Sequence, residues 1–439
     1  MKKHTTIALL FGLFCIGITN AQESSTLALT VDEAVRYALQ NSRQIQSGAI
    51  DLETQKRARD TAWNTLLPSV ELGGSMSRAN EIMSVPGITV AESDHWQMGG
   101  SAGISLNFNM AMIETIKAAK IDYEAGRITF DETQKKLEHD VQKLFYSLLL
   151  MQESIKISEE NLLAAQNRVT EADQNYRAGK ISEIELLQTQ VAAQKQKPEV
   201  LRTKQGLKQN LNTFVLLLGM EAGTEIQLAG SISHAGIIEP ALQDITPLKA
   251  APTRTELTLQ KNIDALVVNR STLNLQAFTP SLQLSFGLRP GASLTSLTDG
   301  TTDPWKDNGS FSAGIVWNLT DLLPFSANRQ QAKNLDASIA KLRIEQTDAR
   351  ENTINEMQQL IDTLELSREQ ISALEADIAL ALRNYELTET AYRNGRTDLL
   401  KLQDAELSLN QARQGLLGEQ FNYLSAFFDI EYLTGVKLR

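Results

Sequence analysis

The chain has 439 residues, of which 42% are hydrophobic and 22% charged, and a formal charge of −11. That length allows two or three ordinary domains or one elongated body, and the composition excludes a disordered chain. The acidic balance, with no basic stripe to offset it, excludes nucleic acid as a partner.

Lys2 and Lys3 precede a short apolar core from Ile7 to Ile18, and Thr19-Asn20-Ala21 ends it without charge. Residues 1–21 therefore read as a secretory signal cleaved after Ala21. Cys15 follows Phe14, where lipidation requires a small residue, so no lipid anchor is expected. It is also the one cysteine, so the mature chain has neither disulfides nor thiolate metal sites. Cleavage removes both lysines and moves the charge from −11 to −13. No later stretch holds 18 consecutive apolar residues, so any entry into a membrane must use β-strands.

The first repeat is assigned to residues 22–218. Thr30 and Glu33 have the spacing of a capping box, which predicts a short opening helix. A second helical stretch, Ser42 to Leu66, leads to a proline and a strand pair over about 69–108. Val70, Leu72 and Met76 share one strand face, and Ile104, Leu106 and Phe108 share another. The polar link from Ala79 to His95 reads as an outer loop. From Ile121 to Tyr176 only Gly126 interrupts a helical pattern. Such a run would span roughly 84 Å, too long for a compact domain, so it must belong to a rod or tube. Gly179 can end the helix in the left-handed conformation, and Ser182 stands where the returning helix needs an N-cap.

A segment from 219 to 252, rich in Gly and Pro, separates this repeat from a second one at 253–434; residues 435–439 form a tail. The second repeat has the same plan: helix Arg254 to Phe278, a strand pair over about 281–319, a long helix, a glycine tip at Gly395 and an N-cap at Asp398. Its strand faces are Leu282, Leu284, Phe286 and Leu288, then Phe311, Ala313, Ile315, Trp317 and Leu319, with Pro290 to Asn308 as the second outer loop. Tyr176-Arg177-Ala178-Gly179-Lys180 recurs as Tyr392-Arg393-Asn394-Gly395-Arg396, 216 positions later. Pro68-Ser69-Val70-Glu71-Leu72 and Ser101-Ala102-Gly103-Ile104 recur in the same order. Three such pairs in register imply duplication. Both long helices carry a seam spaced alternately four and three, from Leu144 to Tyr176 and from Leu360 to Tyr392. Period 3.5 marks helices that supercoil on a neighbour.

The four strands alternate apolar and polar residues, as membrane β-barrel strands do, although a half-buried soluble sheet gives the same pattern. Trp96, Trp305, Trp317 and Phe325 near the strand ends suit an interfacial belt. Four strands cannot close a barrel. Several copies must share one: two would give eight strands and three would give 12.

With these features the chain resembles the TolC family of outer-membrane efflux and secretion channels over its whole mature length. The opening segment Leu29 to Asn41 and the tips Tyr176-x-x-Gly179-x-x-Ser182 and Tyr392-x-x-Gly395-x-x-Asp398 carry the resemblance, together with the duplicated order of elements. It implies a mainly α protein with a β-barrel portion: a homotrimer with a 12-stranded barrel in outer-membrane lipid and a 12-helix tube across the periplasm. The 219–252 segment and the C-terminal tail would form a belt around the tube. The tips, with Tyr176, Arg177, Gly179, Ser182, Tyr392, Arg393, Gly395 and Asp398, would dock a periplasmic adaptor coupled to an inner-membrane pump. The family places carboxylates six and nine residues past the second glycine, around the aperture. Here these are Lys401 and Asp404, and Lys401 reverses the local charge. The family's latch arginine is replaced by Thr397, so the latch is not carried over.

Two other function classes fit the sequence less well. Gly99-Gly100-Ser101-Ala102-Gly103 matches a hydrolase nucleophile pattern, but the sequence continues as strand where that motif needs a helix. His95, His139 and His234 lack second ligands at helical spacing, so no metal or cofactor is expected. Glu138, Asp140, Glu159 and Glu160 read as solvated helix faces. An enzyme would need a convergent polar cluster that the sequence does not show. A soluble coiled-coil scaffold or adaptor would explain the helices and leave the strands without a purpose.

Overall fold

The computed structural model describes residues 27–78, 96–230, 232, 254–293, 297, 305–435 and 437. The expected signal, the first outer loop with His95, and residues 233–252 of the belt segment, with His234, lie outside the described residues.

Strand β1 (Leu27–Leu29) leads into helix α1 (Val31–Asn41). The capping box forms as the sequence predicts: the Glu33 backbone N–H donates to Thr30 Oγ1 at 3.4 Å, and the Thr30 N–H donates to Glu33 Oε2 at 2.9 Å. Helix α2 (Arg43–Thr61) follows and ends in a 3-10 turn at Ala62–Leu66. Strands β2 (Ser69–Arg78) and β3 (Trp96–Phe108) form an antiparallel pair. Helix α3 (Ala111–Arg177) is 67 residues long, or about 100 Å. Helix α4 (Glu183–Leu217) returns along it, continuing through Pro198, and β4 (Ile226–Leu228) pairs in parallel with β1.

The second half repeats this order with α5 (Arg254–Phe278), β5 (Ser281–Leu288), β6 (Pro290–Ser293), β7 (Lys306–Asp307) and β8 (Ser310–Val316). Helices α6 (Ala327–Arg393, again 67 residues) and α7 (Leu399–Thr434) complete it. Two details differ from the sequence reading. The Pro290–Asn308 link is partly strand, because β6 pairs with β3 and β7 with β6. The last strand stops at Val316: Trp317 Nε1 donates to the Ala277 carbonyl at 3.1 Å, and Leu319 belongs to a 3-10 turn. That bond turns the chain towards the end of α5.

The sheet joins the two halves in the order β2, β3, β5, β8. Its register places Val70, Ile104, Phe286 and Phe311 in one row across all four strands. Rows Leu106–Leu284–Ala313 and Phe108–Leu282–Ile315 lie on the same face. The alternate row, Ser69–Ser105–Ser285–Ser312, lies on the other, where Ser69 and Ser105 hydroxyls meet at 2.7 Å and Ser285 and Ser312 at 2.7 Å. One face is therefore apolar and the other polar through the whole sheet. On the apolar face Val70, Phe311 and Ile315 are about seven-tenths exposed, and Leu72 83%.

Helix α3 changes partners along its length. Near residues 123–131 it meets α2 and α5: Arg59 stacks over Tyr123, and Lys261 and Arg254 pair with Glu124 and Asp131. Further on it meets α4 and α7, which carry the core. Phe145, Phe214, Phe427 and Phe428 are almost fully buried there, with Tyr146 stacked on Phe428 at 5.4 Å between centroids. Burying each such side chain is worth about 1.5–3 kcal/mol, which makes this waist the stable part of a long molecule. Gly219 closes it: at φ +83, a Cβ there would lie 2.2 Å from the Asn41 carbonyl oxygen. His139 Nε2 meets Asp429 Oδ1 at 2.6 Å, and Lys143 Nζ is 3.0 Å from both Asp429 oxygens. Burial alone would raise the Asp429 carboxyl, but these hydrogen bonds and charges hold it below its ordinary value. Glu138 pairs with Lys437 and Glu159 with Lys204, and Asp140 Oδ1 lies 3.1 Å from His139 Nδ1.

Candidate gate at the hairpin tips

Helices α3 and α4 form one hairpin, α6 and α7 another, and their ends are built alike. Gly179 and Gly395 have φ +69 and +66. Nothing crowds either glycine, so the left-handed backbone alone requires the residue type. Lys180 N donates to the Asn175 carbonyl at 2.9 Å, and Arg396 N to the Ala391 carbonyl at 2.8 Å, which closes the two helix ends in the same way. Ser182 Oγ accepts from Glu185 N at 3.3 Å and Asp398 Oδ1 from Lys401 N at 2.9 Å, so both sequence-predicted N-caps form.

A cleft between the two tips is lined by Asn175, Lys180, Ser182, Glu185, Tyr392 and Asp398 among others. Tyr392 reaches across it and donates to Glu185 Oε1 at 3.4 Å. Burial first, and then the Glu185 charge and hydrogen bond, push its phenol above the ordinary value. Arg393 bridges Glu389 at 3.1 Å and, on the other hairpin, Glu171 at 3.8 Å. Tyr176 is 40% exposed, and Arg177 pairs within its own helix with Asp173 at 2.8 Å. The two tyrosines are thus equivalent in sequence and different in setting. Lys401 and Asp404 are both exposed and line one groove between α6 and α7 with Asn384, Leu387, Thr388 and Thr397.

The sequence reading missed an ion pair between the hairpins whose two charged groups are both withdrawn from water. Arg168 of α3 donates from Nη2 to Glu406 Oε1 of α7, with side chains only 13% and 11% exposed. Burial would lower the Arg168 pKa, but the Glu406 hydrogen bond and charge outweigh it and raise it. The one signal available was spacing: Arg168 stands eleven residues before Gly179 and Glu406 eleven after Gly395. Both therefore lie about three helical turns from a tip. Ser101 sits inside β3 opposite Gly73, in continuous strand, which is the wrong setting for a hydrolase nucleophile. Among the described residues no helix is long and apolar enough to cross a membrane, and no group of three or more His, Cys, Asp or Glu could hold a metal ion.

The profile of the family described as "Outer membrane efflux protein" matches residues 34–220 and 271–436, which include both hairpins and their tips. The chain belongs to that family. It is therefore the outer-membrane exit duct of a tripartite efflux system, which also comprises an adaptor and an inner-membrane pump. The cation efflux system protein CusC of Escherichia coli K12 is 23% identical over 443 residues, covering 97% of this chain and 92% of that protein. A crystal structure of CusC superposes with a TM-score of 0.75 at 18% identity, covering 94% of each chain. The outer membrane protein VceC of Vibrio cholerae gives 0.73 at 15% identity, over 93% of this chain and 97% of that one. The expected helical tube with a strand-built barrel part is the fold these structures share.

Proposed function

We propose that three copies of the chain form one continuous duct whose periplasmic end is gated by the hairpin tips and opened by the adaptor. The observation that carries this reading is the four-stranded sheet. One face is apolar and exposed, the other is polar, and strands β2 and β8 form its lateral edges. Such a sheet suits lipid on one side and water on the other, and needs neighbours at its edges. Three copies would supply 12 strands around a water-filled bore. The 219–252 segment, which holds β4, and the C-terminal tail would form the belt around the tube at this waist.

At the far end the tips close the tube. Tyr392–Glu185 and Arg393–Glu171 hold the second hairpin against the first. The exposed Tyr176 and Arg177 belong to the outward surface offered to the adaptor. Gly179, Ser182, Gly395 and Asp398 shape the turns that present it. Lys401 and Asp404 would each occur three times near the aperture. Their opposite charges leave that ring without net charge and without a preference for cations.

Gly395→Pro tests the tip assignment. Proline cannot adopt φ +66, and it removes the N–H that donates to the Tyr392 carbonyl at 2.9 Å. The expected outcome is export of a pump substrate reduced to the level of a channel deletion, with the mass of the extracted oligomer unchanged. Export at the unaltered rate would remove the tips from the mechanism.

A further inference from the structure

We propose that the bore of the barrel carries two charged zones of opposite sign, an acidic one made by Glu71 on the tube side and a basic one made by Arg289 and Lys306 on the outer side. A solute of either net charge then meets one zone that repels it. The solutes that pass most freely are neutral or zwitterionic. This rests on the shared duct proposed above and names the residues that set its charge selectivity.

The zones follow from the register of the sheet. On its polar face β2, β3, β5 and β8 present serine, glycine, glutamine, asparagine and Val316, with Glu71 as the one ionisable residue. Glu71 stands opposite Gly103, Gly103 opposite Gly287, and Gly287 opposite Ser310. No long side chain shares that row, so nothing in it covers the carboxylate. Arg289 links β5 to β6. Ala102 pairs with Leu288 and Gly99 with Gly291, so one register runs through the link and sets Arg289 opposite Ser101, on the polar face. Lys306 pairs with Gly291, in the row of Ser75 and Gly99, on the same face. Along β3 these two rows lie about 7 Å and about 13 Å beyond that of Glu71, towards the outer loops. All three side chains are exposed, and none makes an ion pair among the described residues. Asp307, opposite Pro290, stands on the other face, where its Oδ1 accepts from Arg289 N at 2.7 Å and Gly309 N at 2.8 Å.

Distance decides whether such groups reach a passing solute. Twelve strands about 4.8 Å apart and tilted about 40° close a ring of about 24 Å diameter. The centre of the bore is then about 12 Å from the backbone and nearer to the ends of long side chains. Charges act over about 8 Å at physiological salt and about 30 Å at 0.01 M. Rings of acidic side chains favour cations and rings of basic ones favour anions. Placed in series, each resists what the other admits, and a solute without net charge crosses both. Each copy offers two cations against one carboxylate, which makes the outer zone the stronger.

The mature chain has no cysteine of its own, so a single introduced thiol reports the potential where it stands. Gly287→Cys probes the Glu71 row and Gly99→Cys the Lys306 row. Both places accept a side chain: the atom nearest to an added Cβ is 3.8 Å away at Gly287 and 3.4 Å away at Gly99. The readout is the ratio of modification rates by a trimethylammonium and a sulfonate methanethiosulfonate, on the purified mature oligomer in detergent. The ionisation of the thiol itself cancels in that ratio. In 0.01 M salt the ratio at Gly287→Cys should exceed that at Gly99→Cys about tenfold, and 1 M salt should nearly abolish the difference. Adding Glu71→Gln should lower the first ratio about threefold, and adding Arg289→Gln with Lys306→Gln should raise the second by about as much. Equal ratios at the two probes in low salt would overturn the proposal. So would a difference that salt does not reduce or that neither neutralisation moves. The salt series needs no second substitution, so it decides the matter even where a neutralised variant fails to assemble. Ile104→Cys, on the apolar face, separates the zones from the duct. If it reacts as fast as Gly287→Cys, the sheet does not divide lipid from water, and the duct falls together with its zones. If it stays unreactive while the two bore probes give equal ratios, the duct stands and the zones fall.

Discussion

At the scale of single residues, the tips show which chemistry can be read from sequence. Ser182 and Asp398 each accept one orphan N–H at the start of a returning helix. Losing such a cap costs about 1 kcal/mol, so Ser182→Ala should speed amide exchange at Glu185, and Asp398→Ala at Lys401, about fivefold. Unchanged exchange at both sites would mean the caps do not hold the tips. These roles were legible because caps and glycine turns are local: a few neighbouring residues decide them. The Arg168–Glu406 ion pair between the hairpins was not legible. Arg168 and Glu406 lie 238 residues apart, and Tyr392 and Glu185 lie 207 apart. No local pattern marks a charge that finds its partner only when two hairpins are laid side by side. The placement of Tyr176 and Tyr392 teaches the same point. Duplication gave them the same sequence context, and the asymmetry of the packed hairpins left one exposed and tied the other inward.

At the scale of elements, the duplication is the strongest signal. Helices α3 and α6 start at Ala111 and Ala327 and end at Arg177 and Arg393, so the 216-residue offset holds at both ends. The 3.5-residue seam foretold the packing: of the positions from Leu144 to Tyr176 and Leu360 to Tyr392 that it picks out, Tyr176 alone is exposed. The strands were legible by face but not by neighbour. Alternation assigns each side chain to one side of its strand, but only the sheet shows β3 of the first half beside β5 of the second. That register sets apart two adjacent residues. Ala313 stands on the apolar face and Ser312 on the polar face, where its hydroxyl meets Ser285. Ala313→Lys should cost about 2–4 kcal/mol in lipid and sharply reduce the folded protein recovered from outer membranes. Ser312→Lys should leave that yield near normal. Equal yields would mean that the apolar face does not meet lipid.

At the scale of the whole molecule, one protomer is an incomplete object. Its helices run about 100 Å, its firm core is confined to the waist, and its sheet presents exposed apolar side chains on one face. The proposed assembly of three copies would complete it, in lipid at one end and against sister copies along its length. The most direct measurement is the mass of the mature protein extracted from the outer-membrane fraction in detergent, corrected for bound detergent. The account predicts the mass of three chains. A single chain that stays in solution without detergent would contradict it.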